Sequence, residues 1–482
     1  MRKINPEENK KILSELLFHL ADNGLKKWYP LSVDKEFGGY FSNISYDWKI
    51  LPEQEKMIVT QARHIWTTSK AAAFLDNEFY KDVAYHGYQF LKKKMWDNEY
   101  GGFYQMRSRE GGLSNYNGYF DEKRMYGNAF AIYGLAALYE LTRDDEILQF
   151  AKEAFKWIEE HVADKKYNGY FQFLTREGIP FNKESVYKTK ASDAAEVGYK
   201  DQNSSIHLLE AYTELYNAWK SPELFDRLKD ILFLIRDTMV TEEGYLNLFF
   251  NYKWNPVSFR NAPEEIRKKN YGLEHVSFGH DYETAFLMLE ASHILGLEND
   301  TSTLTIAKKM IDHAIENGWD KTNGGFFDEG YYFKESDGCK IIKDTKVWWA
   351  QAEGLNALLL FSKIFPEEKR YYDLFLQQWE YIKEYLIDDK YGDWYWGSLE
   401  KEPFYRTEAK GSIWKGTYHT GRALMNCIKM LADENFSLMK TSDGFKKEKN
   451  NFDNLIEHWK KAPNSPNLSH LGEPRRKGDF EK

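Results

Sequence analysis

Tyr100-Gly-Gly-Phe-Tyr104 decides the architecture, because the same Gly-aromatic signature returns at five other places. The copies are Phe37-Gly-Gly-Tyr-Phe41, Tyr167-Asn-Gly-Tyr-Phe171, Glu243-Gly-Tyr-Leu-Asn247, Asn323-Gly-Gly-Phe-Phe327 and Tyr391-Gly-Asp-Trp-Tyr395. Taking Gly39, Gly102, Gly169, Gly244, Gly325 and Gly392 as markers, the steps are 63, 67, 75, 81 and 67 residues. A repeat of this length means one supersecondary unit stacked on its neighbours, each covering an apolar face the next leaves open.

Between the signatures the apolar spacing is helical. Segments 129–142, 205–219, 282–297, 352–364 and 421–432 are apolar most of the way round, as helices buried on several sides are. Segments near 78–95, 145–162, 222–240, 302–317 and 367–387 carry Lys and Glu along one face and read as outer helices. A first pair, 7–27 and 64–75, makes six of each. Inner-to-outer links are short, while every outer-to-inner link is long and holds a Gly-aromatic turn. Six inner helices therefore run parallel with all long loops at one end. The expectation is an all-α (α/α)6 barrel over residues 1–432, with short hairpins in the loops, followed by a polar extension over 433–482.

Composition narrows the function. The 482 residues carry 66 Lys and Arg against 75 Asp and Glu, a formal charge of −9, which argues against a nucleic-acid partner. No apolar run reaches the roughly 18 to 20 residues of a membrane span, and the charged start is unlike a signal peptide, so a cytoplasmic protein without a membrane partner is expected. Two cysteines, Cys339 and Cys427, suit neither a disulfide framework nor a thiolate zinc site. Aromatic residues make up 17% of the chain, and their flat faces are what sugar rings stack on. An exposed outer-helix face fits a monomer or a homodimer equally.

The six inner N-termini read Gln61-Ala-Arg63-His64-Ile-Trp66, Lys123-Arg124-Met-Tyr126-Gly-Asn128, Gln202-Asn203-Ser-Ser-Ile-His207, Gly279-His280-Asp281-Tyr282-Glu283, Val347-Trp348-Trp349-Ala-Gln351-Ala-Glu353 and Trp414-Lys415-Gly-Thr-Tyr418-His419. In a barrel these distant segments meet, and six helix N-termini direct partial positive charge at a developing oxyanion. His280 and Glu283, three apart, share a helical face, as do Asn203 and His207. A histidine beside a carboxylate suits a general base near neutral pH. Arg63 and Tyr126 read as polar groups for a substrate, and Trp348, Trp349 and Trp414 as a sugar platform. His64 and His275 read as structural. Without a tight H-x-x-x-H pair or a phosphate-binding glycine loop, neither a metal nor a nucleotide is expected.

Taken together, Arg63 to Trp66, Arg124 to Gly127, Asn203 to His207, Gly279 to Glu283, Trp348 to Glu353 and Trp414 to His419 resemble the N-acylglucosamine 2-epimerase and cellobiose 2-epimerase superfamily over about residues 10–432. The resemblance implies an (α/α)6 barrel that acts on a reducing-end sugar without metal or redox cofactor. It implies proton exchange at C2 through an enediolate, with His280 and His419 as the acid/base pair and His207 and Glu283 assisting. Arg63, Tyr126 and Asn203 match residues that hold the open-chain carbonyl and hydroxyls, and the tryptophan motifs, with Glu353, match the substrate-binding platforms. Trp-Trp-Ala-Gln-Ala-Glu looks closest to the cellobiose branch. N-acylglucosamine epimerisation and aldose–ketose isomerisation are the alternatives within the superfamily. A glycoside hydrolase on the same toroid would need two opposed carboxylates, for which Asp281, Glu283 and Glu353 are the candidates. A non-catalytic glycan-binding protein would not need His280 or His419.

Overall fold

The computed structural model describes residues 6–185, 187, 189, 196–297 and 300–432; the polar extension expected at 433–482 lies outside them. In chain order the helices are α1 (Pro6–Leu20), α2 (Ile58–Leu75), α3 (Glu78–Phe90), α4 (Met125–Thr142), α5 (Asp145–Trp157), α6 (Gln202–Ala218) and α7 (Pro222–Leu234). They continue as α8 (Glu264–Glu274), α9 (Phe278–Ile294), α10 (Thr301–Gly318), α11 (Trp348–Ile364), α12 (Lys369–Tyr385) and α13 (Tyr418–Ala432). The inner helices α2, α4, α6, α9, α11 and α13 pack each on the next, and α13 returns to α2. That ring is the (α/α)6 barrel. Among the described residues, no helix is long and apolar enough to cross a membrane.

Sequence explains the two layers. In α4 every residue from Met125 to Leu138 is buried, which its mixture of Ala, Gly and large apolar side chains permits on all sides. In α5 Ile147, Leu148, Phe150, Ala151, Ala154, Phe155 and Trp157 are buried while Glu153 and Lys156 face solvent. Asp144 caps α5 by accepting from the Glu146 backbone N–H.

The six Gly-aromatic turns each close with one antiparallel bridge, from Val33↔Tyr40 and Trp96↔Phe103 through to Ile387↔Trp394. Gly102 shows why glycine is needed there: its φ is +73°, and a Cβ would stand 2.5 Å from the Trp157 ring. A second set of pairings runs between units. The two residues before an inner helix pair with the strand after the next turn, as Lys56↔Arg107, Lys123↔Leu174, Lys200↔Phe250 and Val276↔Gly330 do. The bridge Ile44↔Gly411 joins the last unit to the first and closes the ring.

A buried ion pair fastens each of five units. Asp34, Asp97, Asp164, Asp320 and Asp388 begin the turns, and their second oxygens accept from Lys56, Lys123, Lys200, Lys346 and Lys410 at 2.7–3.1 Å. The first oxygens accept two backbone N–H groups of the turn, as Asp164 does from Lys166 and Tyr167. Burial pushes the Asp164 carboxyl up, but Lys200 and those N–H groups outweigh it and hold it below the usual range. In the fourth unit Thr241 stands at the aspartate position and Val276 at the lysine position, so the pair is replaced as a pair. Lys200→Met alone leaves a buried carboxylate without its cation and is expected to cost about 3–5 kcal/mol in urea unfolding. The double change Asp164→Thr with Lys200→Val, which copies the fourth unit, is expected to restore at least half of that loss. Equal stability of the single and double variants would show that the pair is not what fastens the turn.

Candidate active site

The inner N-termini and long loops enclose a cavity of about 470 Å³ at one end of the barrel. Arg63 (α2), Tyr126 (α4), Asn203 and His207 (α6), His280 and Glu283 (α9) and His419 (α13) all line it. Trp348 and Trp349 (α11) and Trp414 line the same cavity. Residues more than 350 apart in sequence thus share one wall, because each sits in the first turns of a parallel inner helix or just before one.

His280 and His419 are held differently. His280 Nδ1 is 2.7 Å from the Ser277 hydroxyl, one helical turn back at the start of α9. His419 Nδ1 is 2.8 Å from Glu353 Oε1 and 4.0 Å from Glu283 Oε1. With Nδ1 engaged in both, Nε2 is the atom available for chemistry. The Trp349 ring lies against both imidazoles, its centroid 4.8 Å from His280 and 5.7 Å from His419. Gly279 permits this, since a Cβ there would meet the Trp349 ring at 2.6 Å. Burial pushes His280 down to about 3, with His207 and His275 adding like-charge pressure. Burial also pushes His419 well down, reinforced by Arg63 and Arg422. Both imidazoles are therefore neutral near pH 7.

Behind these histidines lies a group the sequence reading missed. Arg422 reaches Glu353 at 2.7 Å and also bonds Glu283 and Glu210. Glu210 in turn accepts from the Tyr418 hydroxyl and stands 2.9 Å from His207 Nδ1. Burial raises Glu210, yet Arg422 and His207 overcome it and hold the carboxyl at about 2. Burial dominates at Glu353 and pushes it up to about 8, with Glu283 adding repulsion. The signals were present: Glu210 is a lone carboxylate in the apolar run Leu-Leu-Glu-Ala-Tyr one turn after His207, and Arg422 lies one turn after His419.

Several sequence expectations change in detail. Glu353, expected among the substrate-binding residues, is fully buried behind His419 and does not line the cavity. Glu283 does not bond His280, its neighbour on the helix, but serves Arg422 across the barrel. Asp281 accepts from the Leu246 backbone N–H, and burial pushes its carboxyl well up, so it anchors a turn rather than facing a sugar. His64 is structural as expected, buried 2.7 Å from the Tyr29 hydroxyl. His275, also read as structural, does line the cavity, with Nδ1 on the Tyr271 carbonyl at 3.0 Å. Among the described residues Arg63 takes no carboxylate partner; it donates to the Tyr126 hydroxyl at 3.0 Å and the Trp414 carbonyl at 3.2 Å, over the Phe130 ring. His419, Glu283 and Glu353 offer three donor atoms within 4.8 Å of one another, but Arg422 already bridges both carboxylates.

Such a cavity suits a neutral, hydroxyl-rich ligand: aromatic walls, one fixed guanidinium, and polar atoms without partners among the described residues at Asn203 Oδ1 and Trp348 Nε1. The sequence matches the N-acylglucosamine 2-epimerase (GlcNAc 2-epimerase) family over residues 39–423. It is 30% identical over 420 residues to the cellobiose 2-epimerase of Bacteroides fragilis, covering 87% of this chain and 98% of that one. It is 31% identical to the cellobiose 2-epimerase of Ruminococcus albus, over 86% of this chain and 98% of that one. The solved cellobiose 2-epimerase of Bacillus thermoamylovorans superposes with a TM-score of 0.74 at 26% identity, over 87% and 99% of the two chains. With the family match spanning most of the barrel and the relatives aligned nearly end to end, the chain belongs to the N-acylglucosamine 2-epimerase family of carbohydrate isomerases.

Proposed function

We propose that this protein epimerises C2 of the reducing-end glucose or mannose unit of a cellobiose- or mannobiose-type disaccharide. The observation that carries the reading is the pair His280 and His419, which line one cavity from the two inner helices that flank α11, with Trp349 of α11 against both. Relatives named for cellobiose support the disaccharide, as does the room beyond the histidines, where Trp396, Glu329 and Lys343 extend the cavity wall.

The chemistry follows from the groups. Arg63, with Tyr126 beside it, holds the open-chain carbonyl and carries the charge that grows on its oxygen. His280, neutral through burial, accepts the C2 proton on its Nε2 lone pair. The enediolate so formed takes a proton from His419 on the opposite face, which inverts C2. His207, tied to Glu210, and Glu283 assist at the ring oxygen and hydroxyls. A glycoside hydrolase fits poorly, because Glu283 and Glu353 share one guanidinium and cannot stand on opposite sides of a glycosidic bond.

The test is proton NMR of cellobiose, mannobiose, glucose, mannose and N-acetylglucosamine, each incubated with the EDTA-treated protein in D2O. The expected result is a C2 epimer of a disaccharide with deuterium at C2. A ketose product would move the reading to isomerisation, and release of monosaccharides would overturn it.

A further inference from the structure

Three buried carboxylates, Glu210 on α6, Glu283 on α9 and Glu353 on α11, meet the single guanidinium of Arg422. The nearby second cation, Arg63 on α2, is spent on the Tyr126 hydroxyl and the Trp414 carbonyl. Three negative charges against one positive, away from water, is a costly arrangement that a single bound proton relieves. The proton has one favoured seat. Glu210 is saturated by Arg422, Tyr418 and His207. Glu283 and Glu353 are both bonded to Arg422, and each keeps a buried Oε2 without a partner among the described residues. What separates them is His419, whose Nδ1 is 2.8 Å from Glu353 Oε1 and 4.0 Å from Glu283 Oε1.

We propose that Glu353 is the proton-relay partner of His419, so that the acid on the second face of C2 is the His419–Glu353 pair and not the imidazole alone. This rests on the epimerase reading above. At the start Glu353 is protonated and donates to Nδ1, His419 carries its own proton on Nε2, and His280 is neutral with a free Nε2 lone pair. His280 takes the C2 proton and the C–H electron pair moves into the enediolate. His419 then gives its Nε2 proton to the opposite face of C2 while Glu353 passes its proton to Nδ1. The cycle ends with a Glu353 carboxylate, a neutral His419 and a protonated His280. No imidazolate forms, and the end state is the one the reverse reaction needs. Burial raises Glu353 in the direction this requires, and the groups facing the pair are Arg422, Glu283, Glu210, Arg63, His207 and His280.

His280 stands outside this network, on the Ser277 hydroxyl, and this makes the proposal testable. In Glu353→Gln the amide keeps the contact to Nδ1 but has no proton to give. The assay follows both C2 epimers of the disaccharide that the wild-type protein interconverts, by NMR in D2O. The expected result is that inversion falls at least about 100-fold. Deuterium still enters C2 of one epimer, and one only, with retained configuration at a rate within about tenfold of wild type, because His280 still removes and returns a proton on its own face. Glu353→Asp, which keeps the acid, is expected to recover part of the inversion. Unchanged inversion in Glu353→Gln would overturn the relay, and so would loss of exchange from both epimers, which marks a structural role. Failure of the wild-type protein to invert any sugar would instead overturn the epimerase reading, and is seen in a separate arm.

Discussion

His280→Asn and His419→Asn are each expected to lower the epimerisation kcat by about 10²- to 10⁴-fold, the range that a positioned general acid or base contributes. Asparagine reproduces the Nδ1 contact, to Ser277 in one case and to Glu353 in the other, so the pocket should keep its shape and KM should change little. The two losses are expected to differ in kind. Each variant retains one face of C2, so each should exchange the C2 hydrogen of one epimer with D2O, and not of the same epimer. Exchange from the same epimer in both variants would show that one histidine does all the proton transfer. The pH profile carries a further check. Burial lowers His280 to about 3, so its neutral, basic form persists as pH falls through 6.5, where an exposed histidine would charge. The acid limb of kcat/KM is therefore expected well below pH 6, and a limb centred near 6.5 would contradict the buried geometry.

Arg422→Met is the substitution with the largest expected effect on stability. It preserves most of the side-chain volume but leaves Glu210, Glu283 and Glu353 buried around no cation. Removing one partner of a buried ion pair costs about 3–5 kcal/mol, and here the carboxylates of Glu210 and Glu283 and the protonated carboxyl of Glu353 lose the same partner, so unfolding free energy should drop by at least that much. Part of the loss is expected to return below about pH 5, where protonated carboxyls no longer repel, which inverts the usual acid sensitivity. Urea midpoints at pH 5 and pH 7.5 measure this directly. A variant as stable as wild type at pH 7.5 would show that Arg422 does not neutralise the cluster.

The candidate site was largely legible in advance because the repeat made it so. Once six Gly-aromatic turns marked six units, the residues opening each inner helix had to converge, and His207, His280 and His419 were found by position rather than by local motif. Glu353 was found by the same route but read as a substrate contact, since sequence spacing tells which end of a helix a residue occupies and not which side of a neighbour it stands behind. Arg422 was overlooked because an arginine one turn into an apolar helix has no visible partner until Glu210, 212 residues earlier, is brought against it.

The sequence by itself determined the architecture: the period of the glycines, the two classes of helix and the unequal links leave room for one ring of six inner and six outer helices. Local chemistry is enough for that, because apolar periodicity and glycine turns act over a few residues. Only the tertiary structure decided the pairings: the aspartate–lysine fasteners within the long loops, Ser277 for His280, and Glu353 with Arg422 for His419. These depend on which charges burial leaves facing each other across the barrel, and desolvation energy is a property of the folded interior rather than of any stretch of chain.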